Sequence, residues 1–466
     1  MMNEQAASRN HVPECDIATT LRETNGVCTT CLKPVPAKVL VYEDRVELQK
    51  ECPEHGVNTQ LLSRCPSYWA ETDRFYFKVN DKVQPQRDYI VRMTETCNLD
   101  CPICLARANQ LDNPDLDLSY LEDLLSKRRG IKIDLMAAEP TLRKDLETWV
   151  RKVKASGNIA ALHTNGLKLA NREYAEKMKA AGVDEVFLQF DGFNEEANKR
   201  LRGRPLVKAR MAAIKNLREL GIATSLIVVV GRGLNEEQVG EVFRFALKPE
   251  NGFIREVFYM GLRLLGSAND SSLAGDHTID EMALMPDDLI ELLTEQVPRI
   301  NREDILAFNK VYFSMLSAAQ VKKCLYVQHY MAVRDRGDDW RPISDVLDLR
   351  RLERAADKYA ERFQEHPTIA RAGLVASLGR AGFTPKALAL TPELLRLQQI
   401  FKAGMNLTEV PRRFLLLGFI TACDPLNFDA KVAENCGKGE LSSDGGFIES
   451  GAVANVARER RVLMES

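Results

Sequence analysis

The chain has 466 residues, 45% of them apolar and 28% charged, which is the composition of a globular protein of two to four domains. Its net charge of −2 argues against a broad nucleic-acid-binding face, so no nucleic-acid partner is expected. No apolar run reaches the roughly 18 residues that a membrane span requires. The polar residues 1–20 lack the apolar core of a signal peptide. A cytoplasmic location is therefore predicted.

Residues 1–86 are predicted to form a cysteine-rich metal-binding domain. Two apolar runs, 39–42 and 46–48, flank a polar turn and predict a hairpin. The hairpin joins a CxxC knuckle to a CxxH knuckle, a spacing typical of a tetrahedral zinc site or a rubredoxin-like iron site. The predicted ligands are Cys28, Cys31, Cys52 and His55. Replacement of His55 by Cys15 or Cys65 would make the site all-thiolate and favour iron, and both a structural and a redox role stay open.

Residues 87–265 alternate strand-like and helix-like segments. Strands are predicted at 89–93, 131–136, 159–163, 183–190, 222–230 and 257–260, with amphipathic helices between them. This alternation implies parallel pairing through right-handed crossovers. We expect an α/β fold with a partial (β/α)6 TIM-like barrel, and a flat doubly wound sheet is the alternative. In such barrels the chemistry gathers at the carboxyl ends of the strands.

Residues 266–466 are predicted to form a mainly helical C-terminal domain. Helices are expected at 345–365 and 392–403, with a break near 373–382. The Gly- and Ser-rich stretch 437–451 is expected to be a loop or a tail.

Cysteines are distributed unevenly, since eight of the eleven lie in the first 104 residues. Disulfides are not expected, because the cytoplasm keeps thiols reduced. The strongest cluster directly follows the first barrel strand, where Cys97, Cys101 and Cys104 form a CxxxCxxC run. Three thiolates on one loop can hold three irons of a 4Fe–4S cluster. The fourth iron is then open to S-adenosylmethionine (SAM), whose reductive cleavage releases a 5′-deoxyadenosyl radical. A zinc knuckle or coincidental proximity is the alternative interpretation.

This run resembles the signature of the radical SAM superfamily, and later segments resemble that family in the same order. Residues 136–142 resemble the GGEP segment that cradles the SAM amino group, although Ala137 and Ala138 replace its two glycines, and Glu139 remains. The resemblance implies that these residues bind SAM with an altered loop geometry. It also implies that three further residues lie near SAM: Asn165, Gln189 and Asp191. Ordinary turn chemistry is the alternative interpretation of those segments.

The knuckles together with this core resemble a narrower subgroup that contains archaeal tetraether lipid synthases and methanogen pterin methyltransferases. The resemblance implies an auxiliary iron–sulfur cluster on three later cysteines: Cys324, Cys423 and Cys436. Residues 445–450, where the subgroup has another cysteine, contain none. Buried core cysteines are the alternative interpretation.

The resemblance implies C–H abstraction followed by carbon–carbon bond formation, by methylation or alkyl coupling, on a small molecule or a lipid. An electron donor such as flavodoxin or ferredoxin is an expected partner. A maturase acting on a peptide or protein is one alternative, and a non-catalytic metal-binding interaction protein is the other. The sequence identifies no catalytic side chain.

Overall fold

The computed structural model describes residues 18–80, 85–263, 265–270, 273, 279–335, 339–381, 390–396, 406–442 and 446–465. Cys15, Gly445 and part of the predicted helix 392–403 lie outside these residues. No helix in the described ranges is both long and apolar enough to cross a membrane.

The strands, numbered in chain order, are β1 Thr19–Val27, β2 Pro34–Val41, β3 Val46–Cys52, β4 Gly56–Ser63, β5 Asp88–Arg92, β6 Lys132–Met136, β7 Ile159–Thr164, β8 Glu185–Gln189, β9 Ala223–Val230, β10 Ile254–Gly261, β11 Val327–Arg334, β12 Trp340–Pro342, β13 Phe414–Thr421, β14 Gly439–Ser442 and β15 Gly446–Ile448.

The helices are α1 Pro66–Lys78, α2 Leu118–Lys127, α3 Leu146–Ala155, α4 Arg172–Ala181, α5 Glu195–Arg202, α6 Val207–Leu220, α7 Gln238–Leu247, α8 Ile279–Met282, α9 Pro286–Gln296, α10 Arg302–Ala318, α11 Leu349–Phe363, α12 Pro367–Ala381, α13 Thr391–Arg396, α14 Ala430–Ala433 and α15 Gly451–Glu465.

The first four strands form an antiparallel sheet in the order β1-β2-β3-β4, called here the N-terminal sheet. The predicted hairpin is confirmed, because Val41 pairs with Val46 across a short turn. Each metal knuckle lies at a strand connection, one between β1 and β2 and the other between β3 and β4.

The main sheet contains the six predicted barrel strands as parallel neighbours in sequence order, from β5 to β10. A doubly wound sheet reverses its strand order at a switch point, and this order has none. Right-handed crossovers therefore place the connecting helices on one face, as in a barrel. The barrel interpretation is confirmed and the doubly wound alternative is wrong.

The C-terminal region is mainly helical, as predicted, but it also extends both edges of the main sheet. Strand β13 lies parallel to β10, and β14 lies parallel to β5. The expectation of a loop or tail over 437–451 is wrong, because this stretch forms β14, β15 and the start of α15. The predicted break is also wrong up to residue 381, since α12 runs through Gly373.

The two faces of the barrel strands have different chemistry. Outward residues such as Leu135, Leu162 and Leu188 are completely buried in the main apolar core. The inward face carries charge near the amino ends of the strands, where Lys132 lies 2.8 Å from Glu185 in a buried ion pair. The barrel lumen therefore has a charged floor.

Candidate functional site

The CxxxCxxC loop leaves the carboxyl end of β5, where a parallel barrel places its chemistry. Asn109 organises this loop: its Oδ1 accepts from the Cys97 N–H at 2.9 Å, and its Nδ2 donates to the Asp100 carboxylate at 2.7 Å. Asn109 itself adopts a left-handed φ of 62°, a conformation that asparagine tolerates better than most residues.

The three thiols of this loop lie close enough to influence one another electrostatically. Burial raises the pKa of Cys97 to about 12, and the charges of Glu139, Cys101 and Cys104 also raise it, whereas the Leu99 N–H lowers it. Backbone N–H groups of Leu99 and Ala108 point at the sulfurs of Cys97 and Cys104, each at 3.4 Å. Three adjacent thiols with N–H donors match the ligand set of an iron–sulfur cluster, so the donor chemistry fits.

A buried ion pair braces the loop from the C-terminal region. Arg107 Nη2 lies 3.1 Å from Glu459 Oε2, and Glu459 Oε1 also accepts from the Gly266 N–H at 3.0 Å. A Cβ on Gly266 would lie only 2.1 Å from the Cys104 carbonyl oxygen. Only glycine permits this close approach of the two backbones.

The Ala-Ala-Glu segment follows β6 beside the cysteine loop. Ala137 has φ of 51°, the left-handed conformation that glycine normally supplies. Its carbonyl accepts from the Thr94 N–H at 3.1 Å, and the Ala138 N–H donates back to the Thr94 carbonyl. The segment thus keeps a glycine-type backbone despite its two methyl groups.

Glu139 is completely enclosed by hydrogen-bond donors. Its carboxylate accepts from Thr141 Oγ1 at 2.5 Å, Thr164 Oγ1 at 2.7 Å and the Asn165 N–H at 2.8 Å. Asn165 in turn donates to Asn98 Oδ1 at 2.8 Å and lies 3.9 Å from the Cys97 sulfur. Glu139 therefore connects the carboxyl ends of β6 and β7 to the cysteine loop.

Asp191 holds a second buried network at the end of β8. It lies 2.8 Å from Arg202 and 3.1 Å from Arg210, and it accepts from Gln189 Nε2 at 2.7 Å. Arg202 also contacts Cys101, whose pKa is raised by burial and lowered by this cation. Asp191 therefore orients an arginine toward the Cys101 thiol, whereas Gln189 stays half-buried at the lumen.

The upper lumen contains one imidazole on an aromatic ring. His163 stacks on Phe187 with centroids 4.3 Å apart, and its Nε2 lies 3.2 Å from Asp134. Burial lowers the pKa of His163, although Asp134 opposes this effect. Lys438, from the C-terminal region, reaches Asp88 at 2.7 Å and also contacts Asp134.

The four predicted knuckle ligands come together. The ligand atoms of Cys28, Cys31, Cys52 and His55 all lie within 4.8 Å of one another. His55 Nδ1 is 3.6 Å from Cys28 Sγ and 3.4 Å from Cys52 Sγ. Burial raises the pKa of Cys28, but the N–H groups of Cys31 and Thr30 and the neighbouring thiols outweigh it and lower that pKa to about 6. This donor set fits a tetrahedral zinc ion.

Cys65 is not part of the knuckle site. It lies at the amino end of α1, beside Asp287 and Arg302, and burial raises the pKa of its thiol. The hypothesis that Cys65 replaces His55 is therefore wrong.

The three later cysteines also interact with one another. Cys423 follows β13, Cys324 precedes β11 and Cys436 precedes β14. Burial, then the charges of Cys324 and Cys436, raise the pKa of Cys423 well above its usual value. These thiols share one neighbourhood, and their ligation of a single cluster stays a prediction.

Comparison with known families assigns two parts of the chain. Residues 91–246 match the radical SAM superfamily, and residues 20–64 match the HMPTM N-terminal zinc ribbon domain. The chain therefore contains a radical SAM domain preceded by a zinc ribbon. A radical SAM domain implies a 4Fe–4S cluster and SAM as cofactors.

Individual relatives refine this comparison. The chain is 28% identical over 312 residues to 7,8-dihydro-6-hydroxymethylpterin dimethyltransferase of Methanocaldococcus jannaschii, covering 61% of this chain and 60% of that protein. It is 30% identical over 169 residues to a probable GTP 3′,8-cyclase of Pyrococcus abyssi, covering 35% of this chain and 54% of that protein. The chain thus spans 60% and 54% of the lengths of these two relatives.

Among solved structures, Streptococcus suis SuiB bound to S-adenosylmethionine is similar, with a TM-score of 0.39 and 17% identity. That match covers 51% of this chain and 53% of the other.

Proposed function

We propose that this radical SAM enzyme forms carbon–carbon bonds on a pterin-like heterocycle, by methyl transfer or alkyl coupling. The observation that carries the proposal is the polar, aromatic lumen beside the cysteine loop, with Asp134, His163 and Phe187 in contact. Polar and aromatic side chains of this kind suit contacts with a flat heterocycle rich in N–H groups, whereas a lipid requires an apolar channel. The relative from Methanocaldococcus jannaschii, by its name, acts on a pterin, and this likeness supports the same substrate class.

We propose that Cys97, Cys101 and Cys104 hold the 4Fe–4S cluster. The segment 137–139 and three polar residues would hold SAM: Asn165, Gln189 and Asp191, the last acting through Arg202. When bound, these cofactors supply a 5′-deoxyadenosyl radical, which removes a hydrogen atom from a substrate carbon.

The chain's own residues position the reactants and exclude water. Arg202, held by Asp191, places a positive charge beside Cys101. Asn165 fixes Asn98 and so the first turn of the cysteine loop. His163 offers an aromatic face in the upper lumen, where Asp134 sets its orientation. Such positioning of a target C–H is what radical chemistry requires from the protein.

Two further metal sites belong to the proposal. Cys28, Cys31, Cys52 and His55 would hold a structural zinc ion that stabilises the N-terminal sheet. Cys324, Cys423 and Cys436 would hold an auxiliary iron–sulfur cluster, which is supported by the mutual influence of their buried thiols. Flavodoxin or ferredoxin would supply the electron that starts SAM cleavage.

The test measures two products from reconstituted, reduced protein and SAM carrying a ¹³C-labelled methyl group. We expect 5′-deoxyadenosine from the wild-type chain and from a Cys65→Ala control, and none from the triple Cys97/Cys101/Cys104→Ala variant. We also expect a ¹³C-methylated product from a 6-hydroxymethylpterin substrate. Equal 5′-deoxyadenosine from the triple variant would refute the cluster assignment. Cleavage of SAM with no modified pterin would refute the substrate class.

A further inference from the structure

An arginine-rich cavity lies at the opposite end of the barrel from the cysteine loop. It has a volume of about 740 Å³ and is bounded by the segments that precede β9, β10 and β13 and by the end of β11. Four arginines line it against two carboxylates, Glu250 and Asp335; the arginines are Arg218, Arg334, Arg412 and Arg413. We call it the basal cavity.

Little of this positive charge is neutralised within the described residues. Asp335 is already shared between Arg341 at 2.5 Å and Arg413 at 3.6 Å, and Arg413 also lies 3.8 Å from Glu393, so Arg413 is the paired arginine of the cavity. The structure gives Arg412 no carboxylate partner in its described parts, and Arg412 is exposed at the cavity rim. Guanidinium groups held together without counter-charges repel one another, and this cost is relieved when an anion binds between them.

Arg334 forms the wall of the cavity and is only 5% exposed. Its two Nη groups donate to four backbone carbonyls, including Phe414 and Ile254 at 2.7 Å. Its Nε is buried with no hydrogen-bond partner among the described residues. The side chain is thus rigidly fixed, and it has no carboxylate partner there either.

Arg255 stands beside this wall because of a backbone irregularity. The pairing of β10 with β9 shifts register between Ile254 and Glu256, so Arg255 is the extra residue of a bulge. Bulges commonly redirect a side chain at functional positions. Arg255 Nε and Nη1 are buried without a hydrogen-bond partner in the described ranges. Burial and the cations Arg412 and Arg396 lower the pKa of Arg255 to about 10.

We propose that the basal cavity binds a small, multiply charged phosphate-type oxyanion through Arg412 at its rim, with the positive charge of Arg334 in its wall and of Arg255 beside that wall attracting the anion. Guanidinium groups match phosphate oxygens with paired, charge-assisted hydrogen bonds. The carboxylates of Glu250 and Asp335 at the cavity disfavour an extended polyanion and leave room for a compact one. The cavity lies at the amino ends of the strands, so its ligand is distinct from the substrate at the carboxyl ends.

The test uses the full-length holoprotein with inorganic pyrophosphate as the probe and sodium chloride at matched ionic strength as the reference. We expect Tm to rise by roughly 3 °C when pyrophosphate is about 100-fold above its Kd. Arg412→Ala should weaken binding about tenfold or more, because it removes a charge-assisted hydrogen bond. Arg412 is exposed, so this variant keeps the fold.

The matched control is Arg350→Ala, which removes an exposed arginine of α11 that pairs with Glu353 at 3.2 Å. Because pyrophosphate also binds iron, the difference between Arg412→Ala and Arg350→Ala is the decisive quantity. An equal rise in Tm for the two variants, or no rise beyond sodium chloride, would overturn the proposal. The proposal would also be overturned if the protein sedimented with phosphatidylglycerol vesicles while its Tm did not respond to pyrophosphate. The arginines would then bind a lipid headgroup.

Discussion

Ala137 combines a glycine-type backbone with a side chain at the edge of the proposed SAM site. Its φ of 51° lies in the left-handed region, which costs an L-residue about 1–2 kcal/mol. Ala137→Gly should therefore raise the free energy of unfolding by about 1 kcal/mol, since glycine adopts this region without a Cβ clash. Chemical denaturation followed by tryptophan fluorescence measures this change.

Ala138→Gly is the matched control, because Ala138 does not have a positive φ. Here glycine only adds freedom to the unfolded chain, so we expect a loss of about 0.4–1 kcal/mol. If both substitutions changed the free energy of unfolding in the same direction, the left-handed backbone at residue 137 would not be the cause of the change.

Among single residues, the candidate metal ligands could be proposed from the sequence because their spacing is short. The hydrogen-bonded neighbours of those ligands could not. In the sequence, Asn109 has no feature that distinguishes it from an ordinary loop residue, yet in the structure its side chain organises the cysteine loop. Arg107 and Glu459 are 352 positions apart, and no local pattern connects them.

At the scale of elements, α15 supports the cysteine loop through Glu459. Glu459→Gln removes a charged partner of the buried Arg107, and breaking a buried ion pair costs roughly 3–5 kcal/mol. We expect a lower Tm together with faster iron release to a chelator, measured by absorbance, because the loop loses its brace.

The pair formed by Arg458 and Glu440 supplies the control, because its side chains are as buried as those of Arg107 and Glu459, at 7% and 6% exposed. It joins α15 to β14 and does not touch the cysteine loop. Glu440→Gln should lower Tm to a similar extent without changing the rate of iron release. Equal rates of iron release from Glu459→Gln and Glu440→Gln would contradict the bracing role of Glu459.

The junction of β4 with α9 contains a carboxylate with an unusual proton affinity. Asp287 accepts from Ser63 Oγ at 2.7 Å, and burial, then the charge of Asp288, raise its pKa from 3.8 to about 6. The folded state therefore binds this proton more tightly than the unfolded state, so stability is lost as pH rises from about 4 through 6. Asp287→Asn should be more stable than wild type at pH 8, by up to roughly 3 kcal/mol, and equal to it near pH 4.

Unfolding of both proteins across this pH range tests the prediction. A difference between Asp287→Asn and wild type that does not vary with pH would refute the assignment.

The barrel strands were predictable because each is a short apolar run between helical patterns, and all six lie within a few residues of their predicted bounds. Strand β14 was not predicted from the sequence, because a glycine such as Gly439 in a Gly- and Ser-rich stretch is typical of a loop. In the folded chain a Cβ at Gly439 would lie 3.2 Å from the ring of Tyr89, so glycine serves close packing against β5. Composition alone does not distinguish these two uses of glycine.

At the scale of the whole molecule, the N-terminal sheet docks on the segment that follows Cys423. Lys50 is 1% exposed and donates to the carbonyls of Pro425 at 3.1 Å and Leu426 at 2.8 Å. Thr24 Oγ1 donates to Asp429 at 2.6 Å. A metal ion at the proposed knuckle site would therefore stabilise a surface that also covers the neighbourhood of the proposed auxiliary site.

Loss of the knuckle metal should loosen that surface. Cys52→Ser removes a ligand at the end of β3, directly after Lys50 and Glu51, and we expect faster amide hydrogen exchange over residues 424–429. Cys65→Ser, which changes a thiol outside the knuckle site, should leave this exchange unchanged. Unchanged protection of 424–429 in Cys52→Ser would show that the segment does not depend on the metal.

The pairing of Arg107 with Glu459 has a consequence for the order of events during synthesis. At 5–20 residues per second, the 352 residues between them take roughly 20–70 s to translate. During that time the cysteine loop is made, but Glu459 is not yet there to pair with Arg107 or to accept from the Gly266 N–H. The cysteine loop of the nascent barrel therefore becomes rigid only after α15 has been translated. Any iron loading that needs the braced loop occurs after that point.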